Sequence, residues 1–246
     1  MSTSEFHGPR LYVEATLAEC SSIACTVEQA NYLLNVMRLG SEDEILVFNG
    51  RDGEWRARLA DVGKRRCALE CLEKTRAQKD GPDIHYLFAP LKRARLDYMV
   101  QKATEMGVAR LQPVLTRRTM TARVNVARMR ANAIEAAEQC RILWVPEVVE
   151  PAQLDAMLNS WDSARRLVYC DESAQVANPI TALTSITRGP LSVLIGPEGG
   201  FDPSERAMLH KQAFTLPISL GPRIMRADTA AVAALALVNA VLGDWR

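Results

Sequence analysis

From residue 84 onward, short apolar segments typical of β-strands alternate with segments of helical periodicity. The strand-like segments are IHYLFAP, ARLQPVL, RRLVYCD, LSVLIG and FTLPISL, and the helical segments cover 94–106, 125–140, 151–159, 203–212 and 228–242. Strands that recur after helices are the pattern of parallel strands joined by crossover helices. The alternation predicts an α/β domain over 84–246, with a mostly parallel sheet and helices on both of its faces.

Residues 1–73 have a different pattern, in which short strand-like segments predominate. The segments RLYVEA, EILVFNG, EWRARLADV and CALECLE predict strands, and the turn Asn49 to Gly53 joins two of them into a hairpin. A helix is predicted over 27–38, where Thr26 and Gln29 have the spacing of a capping box. These features predict a small β-barrel or sandwich domain, followed by a polar linker at 74–83 that contains Gly-Pro.

Composition and cysteine spacing exclude several classes of protein. The sequence is 48% hydrophobic, but it has no apolar run long enough to cross a bilayer, and its first residues are too polar for a signal peptide. Its six cysteines form no CxxC and have no histidine at metal-ligand spacing. We therefore expect a cytoplasmic protein with reduced, mostly buried thiols and no metal or membrane partner.

The charge distribution favours a nucleic-acid partner. The formal net charge is only +1, but 92–130 contains ten basic and two acidic residues, and arginine supplies 24 of the 30 basic side chains. The planar guanidinium binds phosphate through two hydrogen bonds and stacks on bases, which suits RNA. A solvated arginine-rich surface explains the charge alone equally well.

Three unusual segments follow predicted strands, and in open α/β sheets ligands bind outside the carboxyl ends of strands. They are YCDES (169–173), GPEGGFDPSE (196–205) and LGPRIMRADTA (220–230). In the second, Asp202, Pro203 and Glu205 form a helix-start signal, and the glycines allow close approach of a ligand to the backbone. An ordinary tight turn is the alternative. The sequence has neither the Rossmann nor the P-loop glycine pattern, which disfavours dinucleotide and nucleoside-triphosphate sites.

The C-terminal helix predicted over 228–242 is apolar or small on nearly every face, as the sequence DTAAVAALALVNAVL shows. Such a helix is buried all round, either in the core of its own domain or against a second subunit. We favour the second alternative, and therefore expect a homodimer.

Several separated motifs together resemble one known family. The segments LIGPEGGF and SLGPRIMRADTA, with KRARLDYMVQKATEMGV and EAAEQCRILWVPEV upstream, are similar to the RsmE family of 16S ribosomal RNA uridine-N3 methyltransferases, of the SPOUT superfamily. The resemblance covers nearly the whole chain, because NYLLNVMRLGSEDEILVFNG is similar to the PUA-like RNA-binding domain of that family. It implies a C-terminal trefoil knot, an exception to the rule that chains are not threaded.

The resemblance also implies S-adenosyl-L-methionine as cofactor, ribosomal RNA of the small subunit as substrate, and specific site residues. Arg226 and Arg223 are the expected catalytic residues, since a cation near the methyl group stabilises a uracil anion. Glu198 is expected either to face the cationic sulfonium or to brace an arginine. The expected RNA-binding residues are Arg10, Arg38, Lys92, Arg118 and Arg141. The expected cofactor-binding residues are Cys170, Asp171, Glu172, Ile195, Gly196, Pro197, Glu198, Gly199, Leu220, Gly221, Ile224, Met225, Arg226 and Thr229.

Two departures from the family pattern and two alternative functions remain at this stage. Where the family usually has Leu-Arg-Thr-Glu-Thr-Ala, this chain has Met225 through Ala230 with the shorter Asp228, and Ile142 stands where an arginine is frequent. The alternatives are ribose 2′-O-methylation by an enzyme of the same superfamily, and RNA binding without catalysis. Neither the general base nor the target uridine is indicated by the residues.

Overall fold

A computed structural model describes residues 8–121, 123–174 and 178–245 of the chain. The polar segment 1–7, on which the expectation about a signal peptide depends, lies outside the described residues. The chain forms two compact units. The first extends to Asp80 and includes Ala137–Trp144, and the second contains Gly81–Ala136 and the chain from Val145 onward.

The first unit is a five-stranded sheet with one short helix. Its elements are β1 (Arg10–Tyr12), β2 (Ser22–Ala24), α1 (Val27–Asn31), a π-helical turn (Tyr32–Val36), β3 (Glu44–Phe48), β4 (Glu54–Ala60) and β5 (Ala68–Arg76). The strand order is β1-β3-β4-β5-β2, with β1 and β3 parallel and the other pairs antiparallel. The predicted capping box of Thr26 and Gln29 is confirmed, but the α-helix ends at Asn31 and continues as the π-helical turn.

The predicted hairpin between β3 and β4 is also confirmed. The side-chain oxygen of Asn49 accepts hydrogen bonds from the backbone N–H groups of Arg51 (3.0 Å) and Asp52 (2.9 Å), which closes the turn. Gly53 has a φ of +85°, and a Cβ there would collide with the backbone of Arg76. Glycine is therefore required at this position for both reasons.

Arg10 is buried in the first unit, at 8% exposure, and the expectation that it binds RNA is wrong. Its Nε donates to Glu54 Oε2 (2.8 Å). Its two terminal nitrogens donate to the backbone oxygens of Ala137 (2.7 Å), Glu138 (2.9 Å) and Ile142 (3.0 Å). Burial lowers the pKa of Arg10 and the Glu54 carboxylate opposes that shift. Four of the five N–H donors of the guanidinium are thus used within the protein, and the buried group is not available to a phosphate.

The boundary between the units differs from the predicted linker in two respects. Strand β5 continues to Arg76, opposite Glu54 of β4, so residues 74–76 are strand and not linker. The segment 137–144 belongs to the first unit, although the sequence pattern assigned it to the second. The contacts of Arg10 with the carbonyl groups of this segment account for the difference.

The second unit contains a seven-stranded sheet in which the paired strands are parallel, as predicted. Its strands are β6 (Ile84–Phe88), β7 (Arg110–Leu115), β8 (Glu147–Val148), β9 (Ala152–Gln153), β10 (Arg166–Cys170), β11 (Leu191–Ile195) and β12 (Thr215–Ile218). The order is β12-β10-β11-β6-β7-β8, and β9 pairs with β7. The short strands β8 and β9 were not predicted. The trefoil knot implied by the family resemblance stays a prediction.

Helices cover both faces of this sheet, as the alternation predicts. They are α2 (Arg93–Glu105), α3 (Val126–Gln139), α4 (Leu154–Asn159), α5 (Pro179–Thr184), α6 (Pro203–His210) and α7 (Ala227–Val241). The side chains of Tyr86 and Val193 pack with α2, α5 and α7, whereas those of Leu87 and Leu194 pack with α4 and α6. The sheet is therefore buried on both sides, which explains its continuous apolar strands.

The cysteine side chains are more exposed than the sequence predicts. All six cysteines are free thiols, but only Cys67 and Cys71 are buried, and Cys20 and Cys140 are exposed. The expectation that most are buried is therefore wrong. Within the described part of the chain, no helix combines the length and the apolar character needed to span a membrane.

Arg10→Met should lower the free energy of unfolding by about 3–5 kcal/mol, because the substitution leaves the buried Glu54 carboxylate without its main partner. Urea unfolding followed by circular dichroism measures this loss. Arg56→Met is the matched control on β4, since its ion pairs with Glu44 and Glu73 are half-exposed. A loss of equal size in the two variants would contradict a structural role specific to Arg10.

Candidate functional site

The three segments singled out in the sequence lie together around one cleft of the second unit. Strands β12, β10 and β11 are neighbours and parallel, so their carboxyl ends lie at the same edge of the sheet. The cleft at this edge is lined by residues of each following segment, namely 170–172, 195–201 without Gly199, and 218–225. Ligand sites at the carboxyl ends of parallel strands are the rule in such sheets.

The second segment, 196–200, is a glycine loop fixed by the start of α6. Asp202 accepts from the N–H of Ser204 (3.0 Å), and Glu205 accepts from the N–H of Asp202 (3.0 Å), which confirms the predicted capping box with Pro203 in the first turn. Gly200 has a φ of +68°, a conformation that favours glycine. The loop is therefore ordered by the protein itself.

The glycines of this loop have different roles. A Cβ on Gly196 would lie 2.8 Å from the ring of Phe201, so that position must lack a side chain for the ring to pack. A Cβ on Gly199 would have its nearest neighbour, the Cδ of Arg118, at 3.8 Å. The sequence predicts that both glycines admit a ligand. At Gly196, it is instead the ring of Phe201 that excludes a side chain.

Two arginines contact the glycine loop. Arg95 of α2 lies 3.5 Å from the Glu198 carboxylate, and both side chains are partly exposed. Arg118 donates to the backbone oxygen of Gly199 at 2.8 Å. Glu198 thus braces an arginine, one of the two alternatives, but the arginine belongs to α2 and not to the third segment.

The first segment contains a polar network that the sequence did not indicate. Asp171 is buried, and it accepts from the N–H of Ser173 (2.9 Å) and the hydroxyl of Tyr169 (3.2 Å). The Nε2 of His210 lies 3.3 Å from the same carboxylate, and the Nε of Arg206 lies 3.4 Å from it. Both partners are on α6, which follows β11, whereas Asp171 follows β10. They are neighbours because β10 and β11 pair side by side in the sheet.

The third segment is the most open part of the site. Gly221 has a φ of +101°, and no atom lies within 4 Å of a Cβ placed there. Ile224 is 92% exposed although it lines the cleft. Arg223 and Arg226 are exposed, and Arg226 is the residue immediately before α7. The segment thus presents backbone, an apolar side chain and the cation of Arg223 at the cleft, and Arg226 follows the lining residue Met225 in sequence.

Most of the predicted cofactor residues lie at the cleft. Those that line it are Cys170, Asp171, Glu172, Ile195, Gly196, Pro197, Glu198, Leu220, Gly221, Ile224 and Met225, together with Arg223. Gly199, Arg226 and Thr229 are adjacent in sequence to lining residues but are not among them. The lining residues missed from the sequence are Gly200, Phe201, Arg206, Ile218, Ser219, Pro222, Ala227 and Ala230.

The lining of the cleft carries both acidic and basic side chains. Asp171, Glu172 and Glu198 line it, and Arg206 and Arg223 are the basic residues in its lining. Burial raises the pKa of the Cys170 thiol to about 12, so this group is a neutral thiol near pH 7. Among the residues that the structure describes, no three His, Cys, Asp or Glu side chains are grouped so that they could hold a metal ion.

The predicted RNA-binding residues other than Arg10 lie on the surfaces of the two units. Arg38 and Arg141 are exposed in the first unit and have positive φ values of 60° and 55°. Lys92 and Arg118 are exposed in the second unit, where Lys92 immediately precedes α2. All four side chains are exposed to solvent, as a contact with a phosphate requires.

Comparison with known proteins identifies two matching domain families in this chain. A family model described as an RNA methyltransferase domain matches residues 79–239, and one described as an RNA methyltransferase PUA domain matches residues 26–71. The ribosomal RNA small subunit methyltransferase E of Rickettsia conorii is 30% identical over 94% of each chain. The protein of the same name from Bacillus subtilis is 26% identical, over 94% of this chain and 95% of its own.

A solved structure gives the same result for the fold. The ribosomal RNA small subunit methyltransferase E of Neisseria gonorrhoeae, bound to S-adenosylmethionine, has a TM-score of 0.87 and 27% identity, and the match covers 98% of this chain and 100% of that one. The fold and the matched domains are those of an RNA methyltransferase with a PUA domain. The chain belongs to the RNA methyltransferase family, which confirms the resemblance and the α/β fold class.

Gly196→Ala should lower the melting temperature by several degrees, because the new methyl group overlaps the Phe201 ring and overpacking costs about 1–3 kcal/mol. Gly199→Ala is the matched control three residues away, where the added methyl group has space. Differential scanning calorimetry of both variants measures the effect. Equal melting temperatures for the two variants would show that Gly196 is not constrained by Phe201.

Proposed function

We propose that this protein transfers the methyl group of S-adenosylmethionine to N3 of a uridine in the 16S ribosomal RNA of the small subunit. The observation that carries the proposal is the cleft formed by three segments at the carboxyl ends of β10, β11 and β12. The relatives that match this chain over nearly its full length are named ribosomal RNA small subunit methyltransferase E. A similar structure from Neisseria gonorrhoeae is described as bound to the same cofactor.

The residues of the cleft fit S-adenosylmethionine. Gly221 lines the cleft, and apart from its chain neighbours no atom lies within 4 Å of a Cβ placed there, so its backbone is open to a ligand. Ile195, Leu220 and Met225 supply apolar walls, and the carboxylates of the cleft suit a cationic ligand. When bound, the cofactor supplies an electrophilic methyl group on a positively charged sulfur. We propose that the fourteen residues named from the sequence contact it, with Gly199, Arg226 and Thr229 at the margin.

The chain's own residues would orient the uridine and stabilise its charge. N3 of uridine carries a proton and becomes a good nucleophile only when that proton is removed, so negative charge develops on the uracil. Arg223 and Arg226 are exposed beside the cleft, where a guanidinium stabilises such charge. The Cys170 thiol is a poor base because burial disfavours its charged form.

We propose that exposed basic residues bind the phosphates of the RNA. Arg38 and Arg141 on the first unit, and Lys92 and Arg118 on the second, are the candidates. Contacts with phosphates release counterions, so RNA affinity should fall steeply with rising salt. Arg10 is left out of this proposal, because its guanidinium is buried.

We also propose a homodimer formed through α7. The inner face of α7, including Ala234 and Leu235, is buried in the core of its own unit. The opposite face is apolar but only half-buried in the single chain, and includes Val232, Ala233 and Leu237. An uncovered apolar face on a helix favours a subunit contact. Within one chain, α7 is therefore not buried on all of its faces, whereas a helix in the core of a single subunit would be.

The activity is tested by incubating the protein with labelled S-adenosylmethionine and either small ribosomal subunits or naked 16S RNA, followed by digestion to nucleosides. We expect N3-methyluridine as the labelled product. Arg226→Ala should lower the rate by roughly 10²-fold, since it removes a donor to the developing charge. Arg188→Ala, which removes an exposed charge elsewhere, is the control. A 2′-O-methylated product, or cofactor binding without transfer, would contradict the proposal.

Leu237→Asp should convert the dimer into a monomer, because a charge on the half-buried apolar face of α7 is unfavourable in the proposed subunit contact. Light scattering of the unchanged protein should give twice the chain mass of 27.2 kDa. Ala156→Asp on the exposed side of α4 is the control that should leave the mass unchanged. Ala234 is unsuitable for this test because it is fully buried in its own unit. A monomeric unchanged protein would refute the dimer.

A further inference from the structure

The loop that follows β7, residues 116–121 with the sequence TRRTMT, is the basic loop of the second unit. It closes on itself, since the N–H of Thr116 donates to Thr119 Oγ1 (2.9 Å) and the N–H of Thr119 donates to the Thr116 carbonyl (3.1 Å). The side chains of Arg117 and Met120 are strongly exposed, Met120 to 84%. The backbone of the loop is thus fixed, while the side chains of Arg117 and Met120 are exposed to solvent.

One buried carboxylate joins the basic loop to the start of α6. Glu205 is only 5% exposed. Its Oε1 accepts from the N–H of Arg117 (2.8 Å), and its Oε2 accepts from the N–H of Asp202 (3.0 Å). The same side chain therefore completes the capping box of α6 and anchors a loop that is 88 residues away in sequence.

A second contact joins the basic loop to the cleft itself. The Nη1 of Arg118 donates to the carbonyl oxygen of Gly199 at 2.8 Å. Gly199 lies between Glu198 and Gly200, and both of these residues line the cleft. A side chain from the basic loop therefore fixes the peptide at the middle of the cleft wall.

We propose that Arg118 is a positioning residue for the cofactor cleft, and that through it RNA binding and cofactor binding strengthen each other. The inference rests on the proposed function. A guanidinium has five N–H donors in a rigid fork. One donor of Arg118 binds the carbonyl oxygen of Gly199. An RNA phosphate that accepts from the remaining donors therefore restricts the Arg118 side chain and, through the hydrogen bond to Gly199, the wall of the cleft. Thermodynamic reciprocity then requires that the cofactor raise RNA affinity by the same factor.

This role differs from that of a plain phosphate contact, which the sequence had suggested for Arg118. A phosphate contact alone affects RNA binding and leaves cofactor binding unchanged when RNA is absent. A positioning residue affects cofactor binding even then. Arg117 allows a matched comparison, because Arg117→Ala removes the same charge one residue away and keeps the N–H that Glu205 accepts.

The first measurement is calorimetric titration of the full chain with S-adenosylhomocysteine in the absence of RNA. Arg118→Ala should weaken binding about three- to tenfold, the effect of losing one hydrogen bond. Arg117→Ala should bind like the unchanged protein, and Arg118→Lys should recover part of the loss because lysine also donates to a carbonyl. Equal affinities for Arg118→Ala and the unchanged protein, or equal losses in Arg118→Ala and Arg117→Ala, would overturn the inference.

The second measurement is the affinity for naked 16S RNA with and without saturating S-adenosylhomocysteine. In the unchanged protein and Arg117→Ala the ligand should raise RNA affinity about fivefold or more, whereas in Arg118→Ala the ratio should be close to one. A ratio near one in the unchanged protein would overturn the coupling. If the unchanged protein binds no cofactor, the proposed function fails and this inference with it. Melting temperatures show whether each variant is folded.

Discussion

Three parallel strands of the second unit, β12, β10 and β11, lie side by side and end at one edge of the sheet. Their pairing brings together segments that are about 25 residues apart in sequence, around 171, 196 and 221. Each of these segments supplies what a regular element lacks: unpaired backbone groups, a glycine in the left-handed region, or a charged side chain. The cleft exists because the register of these strands is fixed, and the contacts of Asp171 with residues of α6 depend on the same pairing.

The glycine loop shows why a motif does not assign roles to its individual residues. Gly200 is required by its backbone conformation and Gly196 by the ring of Phe201, whereas Gly199 offers its carbonyl oxygen to Arg118. Glu198 stands in the loop opposite a cation of α2. Some residues of the loop are therefore required by packing and backbone conformation inside the protein, and only the others are available to face a ligand.

The sequence predicted features that depend on local chemistry. The hairpin at 49–53, both capping boxes and the alternation of strands and helices follow from residues close together in the chain, and the three segments follow from the rule about strand ends. The contacts missed join distant residues: Arg10 with the carbonyls near 140, Arg117 with Glu205, and Asp171 with His210. A single arginine in a sequence has the same appearance whether it is buried or exposed, and for that reason Arg10 was misassigned.

The inclusion of 137–144 in the first unit has a consequence for biosynthesis. Arg10 and the Ile142 carbonyl are 132 residues apart, so the first unit cannot complete its contacts until more than half of the chain has been made. At typical rates of translation this delay is roughly 7–26 s. Strands β6 and β7 are synthesised in the meantime, before β11, which pairs with β6 on its other side. The first unit is therefore completed only after the first strands of the second unit have been synthesised, although it begins earlier in the chain.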